Sequence, residues 1–324
     1  MSLTTQEQLK RLDRKLKNEL GAFIVSTLER PEVIEVCVNS DNCIWVEEQG
    51  KRLYDTGETL DAEMLLAALG TIAAMNDTEI NKEHSILEGR MPLDGSRIEG
   101  TVPPTSPEGP ALSIRKHASA IFPLSQYVAE ERITQQSVDY LRQAIQDRQN
   151  ILVAGGTSSG KTTFVNALIK ELLEIAPVDR LVIMEDTFEL QCATTNKQRF
   201  VSSDDVSLRT LLKTALRFRP DRIIVGEVRG SEALDLLKAW NTGHPGGIST
   251  VHANNAPAAL LRLEQLVLEI SVNPMSSLIA ESIDVIVFMR QFGQIGRQVT
   301  EIIEVTGYRE EGYEFRPVYE LKTR

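Results

Sequence analysis

The run Gly155-Gly156-Thr157-Ser158-Ser159-Gly160-Lys161-Thr162 limits most narrowly what this chain can fold into. It satisfies G-x-x-x-x-G-K-[ST] and stands between the apolar run Asn150-Ile151-Leu152-Val153-Ala154 and a stretch of helical apolar period. A buried strand turning through small residues into a helix is the context in which this pattern works. Small residues let successive backbone N–H groups converge on a phosphate, and the following helix adds its positive N-terminal end. Lys161 is expected to reach the β- and γ-phosphates of ATP and Thr162 to ligate Mg²⁺. Gly155, Gly156, Thr157, Ser158, Ser159, Gly160, Lys161, Thr162 and Thr163 form the expected cradle. The competing reading is a Gly-rich turn that binds nothing.

Around this loop, strand-like runs at 151–154, 181–184, 223–225, 248–251 and 285–288 alternate with helical patterns at 162–174, 207–218, 231–241 and 257–269. Such alternation predicts an α/β domain with a mainly parallel sheet covered by helices. The tail from Val299 to Tyr319 reads as antiparallel strands around Glu311-Gly312.

The first third has a different grammar. Leu9, Leu12, Leu16, Leu20, Phe23, Ile24 and Leu28 recur at helical spacing, predicting an amphipathic helix over 5–30 that Pro31 ends. Short β-type runs follow at 34–38, 44–46 and 52–54, with turn signals at Asp41-Asn42 and Gln49-Gly50. A helix near 60–75 precedes further strands at 97–102 and 111–115, joined by a proline-rich loop. The β pattern stops between Ala118 and Ile133, and a new helix is expected after Thr134, a plausible N-cap. The expected division is a smaller α+β domain over 1–125 and the α/β domain over 126–324.

Composition removes several classes. Three cysteines without a C-x-x-C pair argue against a disulfide framework or a cysteine zinc site, and fit a reducing cytoplasm. The opening residues lack the order of a signal peptide. The most apolar stretch, Met64 to Met75, is about 12 residues, short of the ~20 that span a bilayer. The expected protein is cytoplasmic, or peripheral at the inner face of the inner membrane. A net charge of −11 weighs against broad nucleic-acid binding. His244 and His252 lack the further ligand that a zinc spacing needs. Trp45 and Trp240 read as core residues.

Carboxylates gather where such a sheet would present them. Ile223-Ile224-Val225-Gly226-Glu227 is an apolar strand ending in an acid, and Glu185-Asp186-Thr187-Phe188-Glu189 follows another strand. Glu227 can hold a Mg²⁺-bound water or polarise the attacking one.

The phosphate loop, Glu185 through Leu190, Arg219 through Gly230, and Gly243 through Asn254 resemble in order and spacing the four boxes of the secretion, or traffic, ATPases. Those boxes are named Walker A, Asp, Walker B and His, and the resemblance spans about residues 85 to 290. It is closest to the conjugal-transfer members of the type IV secretion branch, with Gly95-Ser96-Arg97 through Ser113-Ile114-Arg115-Lys116 supporting that branch. The resemblance implies a RecA-like C-terminal domain, a homo-hexameric ring and partners in an inner-membrane secretion or conjugation complex. It makes Glu189 a candidate general base, Glu227 the Walker B acid and His252 a γ-phosphate sensor. Arg97 and Arg115 match arginines that reach the phosphates in the family. Arg115 ranks ahead of Arg97, Arg90 and Arg132 remain alternatives, and the bland reading of each is a surface salt bridge. Type II secretion and pilus motors share these boxes, but members that drive type II secretion carry a long N-terminal extension and usually a four-cysteine metal insert, and this sequence shows neither. A nucleic-acid ring translocase and a nucleotide-gated scaffold are the alternatives of other classes.

Overall fold

The computed structural model describes residues 3–48, 51–116, 121–203, 205–292 and 296–321. The turn expected at Gln49-Gly50, and Ala118, lie outside the described residues. The chain divides into two compact units, Met1–Ser119 and Ala120–Arg324.

The first unit contains α1 (Leu3–Glu29), β1 (Val33–Val38), β2 (Cys43–Glu48), β3 (Tyr54–Thr59), α2 (Ala62–Met75), β4 (Ile86–Arg90), β5 (Arg97–Thr101) and β6 (Ala111–Arg115). The strands form one antiparallel sheet in the order β3-β2-β1-β6-β5-β4. Successive residues of a strand point to opposite faces. Val36, Ile98, Leu112 and Ile114 therefore face Leu16, Leu20, Leu65, Leu69 and Ile72 of the two helices in one core. Helix α2 presses so closely on the sheet that a Cβ at Gly100 would lie 2.3 Å from Leu69 Cδ2. It starts at Asp61, whose carboxylate accepts the Glu63 N–H at 2.8 Å, the usual way an orphan N-terminal donor is satisfied. Strand β3 lies later than the 52–54 expected, because it is a polar edge strand without apolar alternation.

The second unit contains α3 (Leu124–Ala129), α4 (Gln135–Gln146), β7 (Ile151–Gly155), α5 (Lys161–Ile175), β8 (Leu181–Glu185), β9 (Lys197–Val201), α6 (Leu208–Ala215), β10 (Arg222–Val225) and α7 (Glu232–Asn241). It continues with β11 (Ile248–His252), α8 (Ala256–Val267), α9 (Ser276–Ser282), β12 (Val285–Phe292), β13 (Gly296–Arg309) and β14 (Gly312–Glu320). Its eight-stranded sheet runs β14-β13-β12-β7-β11-β10-β8-β9. Pairing is parallel from β12 to β9 and antiparallel through β13 and β14.

Both faces of this sheet are covered, as parallel strands with apolar residues throughout require. Ile151, Val153, Ile183 and Ile224 pack under α3, α4 and α5, while Leu152, Ala154, Met184 and Val225 pack under α6, α7, α8 and α9. Thr134 caps α4 through a 3.1 Å bond from the Ser137 N–H. Helices α3 and α9 and strand β9 have no counterpart among the sequence expectations. Leu124 and Tyr127 of α3 belong to the core of this unit.

Candidate active site

In a parallel sheet, the carboxyl ends of the strands form one rim and the connecting loops supply the chemistry. Register fixes which residues reach that rim together. Gly155 pairs with His252 on one side and with Met289 on the other, and Val225 pairs with Met184. The register of β11 is set at its other end by buried Asn150, whose Oδ1 accepts the Gly246 and Gly247 N–H groups at 2.8 and 2.9 Å. Trp240 closes over the same turn. A Cβ at Gly247 would sit 2.0 Å from its Nε1, so only glycine fits there.

After β7 the chain turns through Ser158 and Gly160, both left-handed at φ 57° and 92°, before α5 begins at Lys161. Alternation into this region concentrates backbone N–H groups in a concave nest, and the first N–H groups of a helix lack intrahelical acceptors. The loop is packed from outside as well. A Cβ at Gly155 would meet Met289 O at 2.5 Å and Ser159 Oγ at 2.6 Å. Arg297, at the start of β13, donates from Nε to Ser158 O at 3.0 Å. Its stem lies so close over Gly160 that an added Cβ would be 2.8 Å from Arg297 Cδ. No motif in the sequence marks Arg297.

Lys161, only 7% exposed, folds back over the loop, its ammonium bonding Gly155 O at 3.1 Å and Gly156 O at 2.9 Å. His252 Nδ1 lies 3.4 Å from the same nitrogen, and His252 Nε2 lies 2.8 Å from Glu227 Oε1. The last contact is close but lacks hydrogen-bond alignment, and Glu227 Oε1 has no hydrogen-bond donor among the described residues. Burial pulls the His252 imidazole below its ordinary range; Glu227 opposes that fall, and Lys161 and Arg229 add to it.

Glu227 is held between two strands. Gly226 N–H donates to Met184 O at 2.8 Å, Val228 N–H to Thr250 O at 2.9 Å, and Thr250 Oγ1 to Gly226 O at 2.8 Å. Its second oxygen accepts from Arg229 at 2.6 and 2.9 Å, and Arg229 also stands 3.7 Å from Asp186. Burial works against the Arg229 charge, yet Glu227, Asp186 and Glu189 together hold its pKa above the usual value.

The sequence-derived residues of this unit thus fall into two groups. The structure brings Lys161, His252 and Glu227 into one line of contact. Glu189 lies half-buried in the loop after β8, and its carboxylate takes part in no hydrogen bond or ion pair among the described residues. Gly156 and Thr157 are exposed, Thr162 and Thr163 half-buried in the first turn of α5. Arg132 pairs with Glu130 at 2.6 Å.

Arg97 and Arg115 belong to the first unit, on the sheet face that its helices leave uncovered. There Arg90, Arg97, Arg115 and Glu35 lie directly opposite one another across β4, β5, β6 and β1. A shallow depression among them is lined by Glu35, Arg97, Glu99, Ser113 and Arg115.

Mg²⁺ takes oxygen donors. The Thr162 hydroxyl and the Glu227 carboxylate are of that kind, and Glu227 Oε1 and buried Ser159 Oγ both lack a hydrogen-bond partner among the described residues. Donor chemistry and unspent acceptor capacity at this rim fit a divalent cation beside phosphate. No helix among the described residues is long and apolar enough to cross a membrane.

A family model described as type II/IV secretion system protein matches residues 17–314. The chain belongs to that family. Among family relatives, it is 44% identical to the conjugal transfer protein TrbB of Rhizobium radiobacter, over 94% of this chain and 93% of that protein. It is 33% identical to the type IV secretion system protein PtlH of Bordetella pertussis, over 84% of this chain and 89% of that protein. The X-ray structure of the Legionella pneumophila ATPase DotB has a TM-score of 0.63 at 21% identity, covering 89% of this chain and 81% of that one. That likeness shows a shared fold.

Proposed function

We infer that this protein is an ATP hydrolase that drives a type IV secretion or conjugal transfer apparatus, with its second unit acting as a RecA-like nucleotide domain. The observation that carries this reading is the contact line from Lys161 through His252 to Glu227, at the rim where the phosphate loop opens. Family membership and the TrbB and PtlH relatives supply the biological setting.

In this reading the loop N–H groups and the start of α5 bind the β-phosphate, and Lys161 leaves the loop carbonyls to follow the β- and γ-phosphates as the bond breaks. Thr162 and Glu227 would hold Mg²⁺, which when bound neutralises phosphate oxygens. Glu189 accepts the proton of the attacking water, its carboxylate being uncommitted. His252, touching both Lys161 and Glu227, reports whether the γ-phosphate is present. The arginine row of the first unit is an anion-binding face whose ligand is nucleotide phosphate. The working form is a homo-hexamer at the cytoplasmic face of a membrane complex.

Phosphate release by the purified chain, with and without single-stranded DNA, tests the reading. Turnover that needs no DNA and disappears in Lys161→Ala is the expected result. Turnover that persists in Lys161→Ala overturns the assignment of the loop, and turnover that requires DNA points instead to a nucleic-acid translocase.

A further inference from the structure

The segment that carries Glu189 has no regular secondary structure, yet its backbone is unusually well bonded. Glu189 N–H donates to Glu185 Oε1 at 2.8 Å and Leu190 N–H to the same oxygen at 2.6 Å. Leu190 O accepts from Arg199 Nη2 at 2.7 Å. Asn166 then brackets the pair, its Nδ2 donating to Glu189 O at 3.3 Å and its Oδ1 accepting the Gln191 N–H at 2.7 Å. Every backbone polar group from the Glu189 N–H to the Gln191 N–H is thus satisfied by the side chain of Asn166, Glu185 or Arg199. The clamp is itself braced: Arg199 Nη2 pairs with Glu185 Oε2 at 2.8 Å, and its guanidinium stacks 3.5 Å from the Phe188 ring centroid.

Four facts make this more than loop packing. Asn166 is 1% exposed and Glu185 2%, and a buried amide or carboxylate costs free energy unless fully bonded, so both are committed to this one task. Asn166 interrupts the apolar run Phe164-Val165-Ala167-Leu168 of α5, where an aliphatic side chain would otherwise pack. It also sits on the helix whose first residue is Lys161. The residue held by the clamp has the uncommitted carboxylate.

We propose that Asn166, with the Glu185–Arg199 pair, is a positioning residue that ties the base-bearing loop to the phosphate-loop helix, so that the Glu189 backbone and the start of α5 keep one spacing through the reaction. The proposal rests on the role given to Glu189 above. Position matters steeply in such a step, because a misplacement near 1 Å can cost about 100-fold in rate.

A double-mutant cycle tests it. Asn166→Ala is expected to lower kcat by about 10- to 100-fold while leaving the affinity for a non-hydrolysable ATP analogue within a factor of about two, since residues acting on the transition state alone lower kcat without weakening binding. In the Glu189→Gln background the same substitution is expected to change kcat little, because its effect runs through Glu189 and coupled residues are not additive. Asn166→Asp keeps the volume and the acceptor for Gln191 but loses the donor to Glu189 O, and is expected to show the same non-additivity if the alanine variant folds poorly. Full additivity of Asn166 and Glu189 losses, or an equal loss of analogue affinity, overturns the proposal. An unchanged kcat in Glu189→Gln alone overturns the base assignment first and leaves nothing for the clamp to position.

Discussion

Arg97 and Arg115 stand directly opposite each other on adjacent antiparallel strands, and Arg90 faces Arg97 from the other side. Like charges in that relationship destabilise a sheet. Arg115 has Glu35 as its other neighbour, whereas Arg97 is flanked by arginine on both sides. In the function proposed above, an anion accounts for this row.

Arg97→Gln is therefore expected to raise the thermal midpoint in low salt without phosphate-type anions, and to lower ATP turnover by on the order of 100-fold, the usual worth of one donor to developing charge. Melting curves and phosphate release on one preparation check both halves. A variant that is neither more stable nor slower makes the row a solvated surface.

Glu227→Gln is expected to keep nucleotide affinity and abolish turnover, since an amide preserves shape but neither holds a metal-bound water nor accepts a proton. It also weakens the hold on Arg229, so a modest loss of thermal stability accompanies the loss of rate. Normal turnover with weakened binding contradicts this role.

Glu189→Gln separates the two acids. With Glu189 as the general base, kcat falls by about 100-fold or more with binding intact. An unaffected rate hands proton acceptance to Glu227.

Acid stability of the first unit has a definable source. Glu48 bonds Lys51, Tyr54 and Arg30, which hold its carboxyl down to about 2 from an ordinary 4.5. A depressed acid contributes stability that is complete above its unfolded pKa and lost as pH falls through the folded one. The stability gap between wild type and Glu48→Gln is thus expected to be widest above pH 5 and to close as pH approaches about 2. Urea unfolding at stepped pH measures it, and a gap independent of pH contradicts the assignment.

Elements with a strong periodic signal were legible. The buried strands β7, β8, β10 and β11 read directly from apolar runs, and Thr134 read as a cap because hydroxyls before a helix satisfy orphan N–H groups. Strand β9, Lys197–Val201, did not, since every residue in it is only half-buried and no apolar run marks it. The phosphate loop is local in sequence and so was visible. Asn166 and Arg297 act on backbone far away in the chain, and spacing holds no trace of that. A polar Asn166 inside an apolar helix face was the one signal that could have pointed to the clamp.

The outer strand β14 pairs with β13 across Pro317 opposite Ile303, with Val318 left over between the Pro317 and Tyr319 pairings. Proline withholds an N–H, and an extra residue kinks the ladder, so this edge is a poor template for another strand. At high local concentration, copies of this chain are thereby discouraged from joining into aggregates through this edge, and contact there is left to side chains, whose geometry can be specific and reversible.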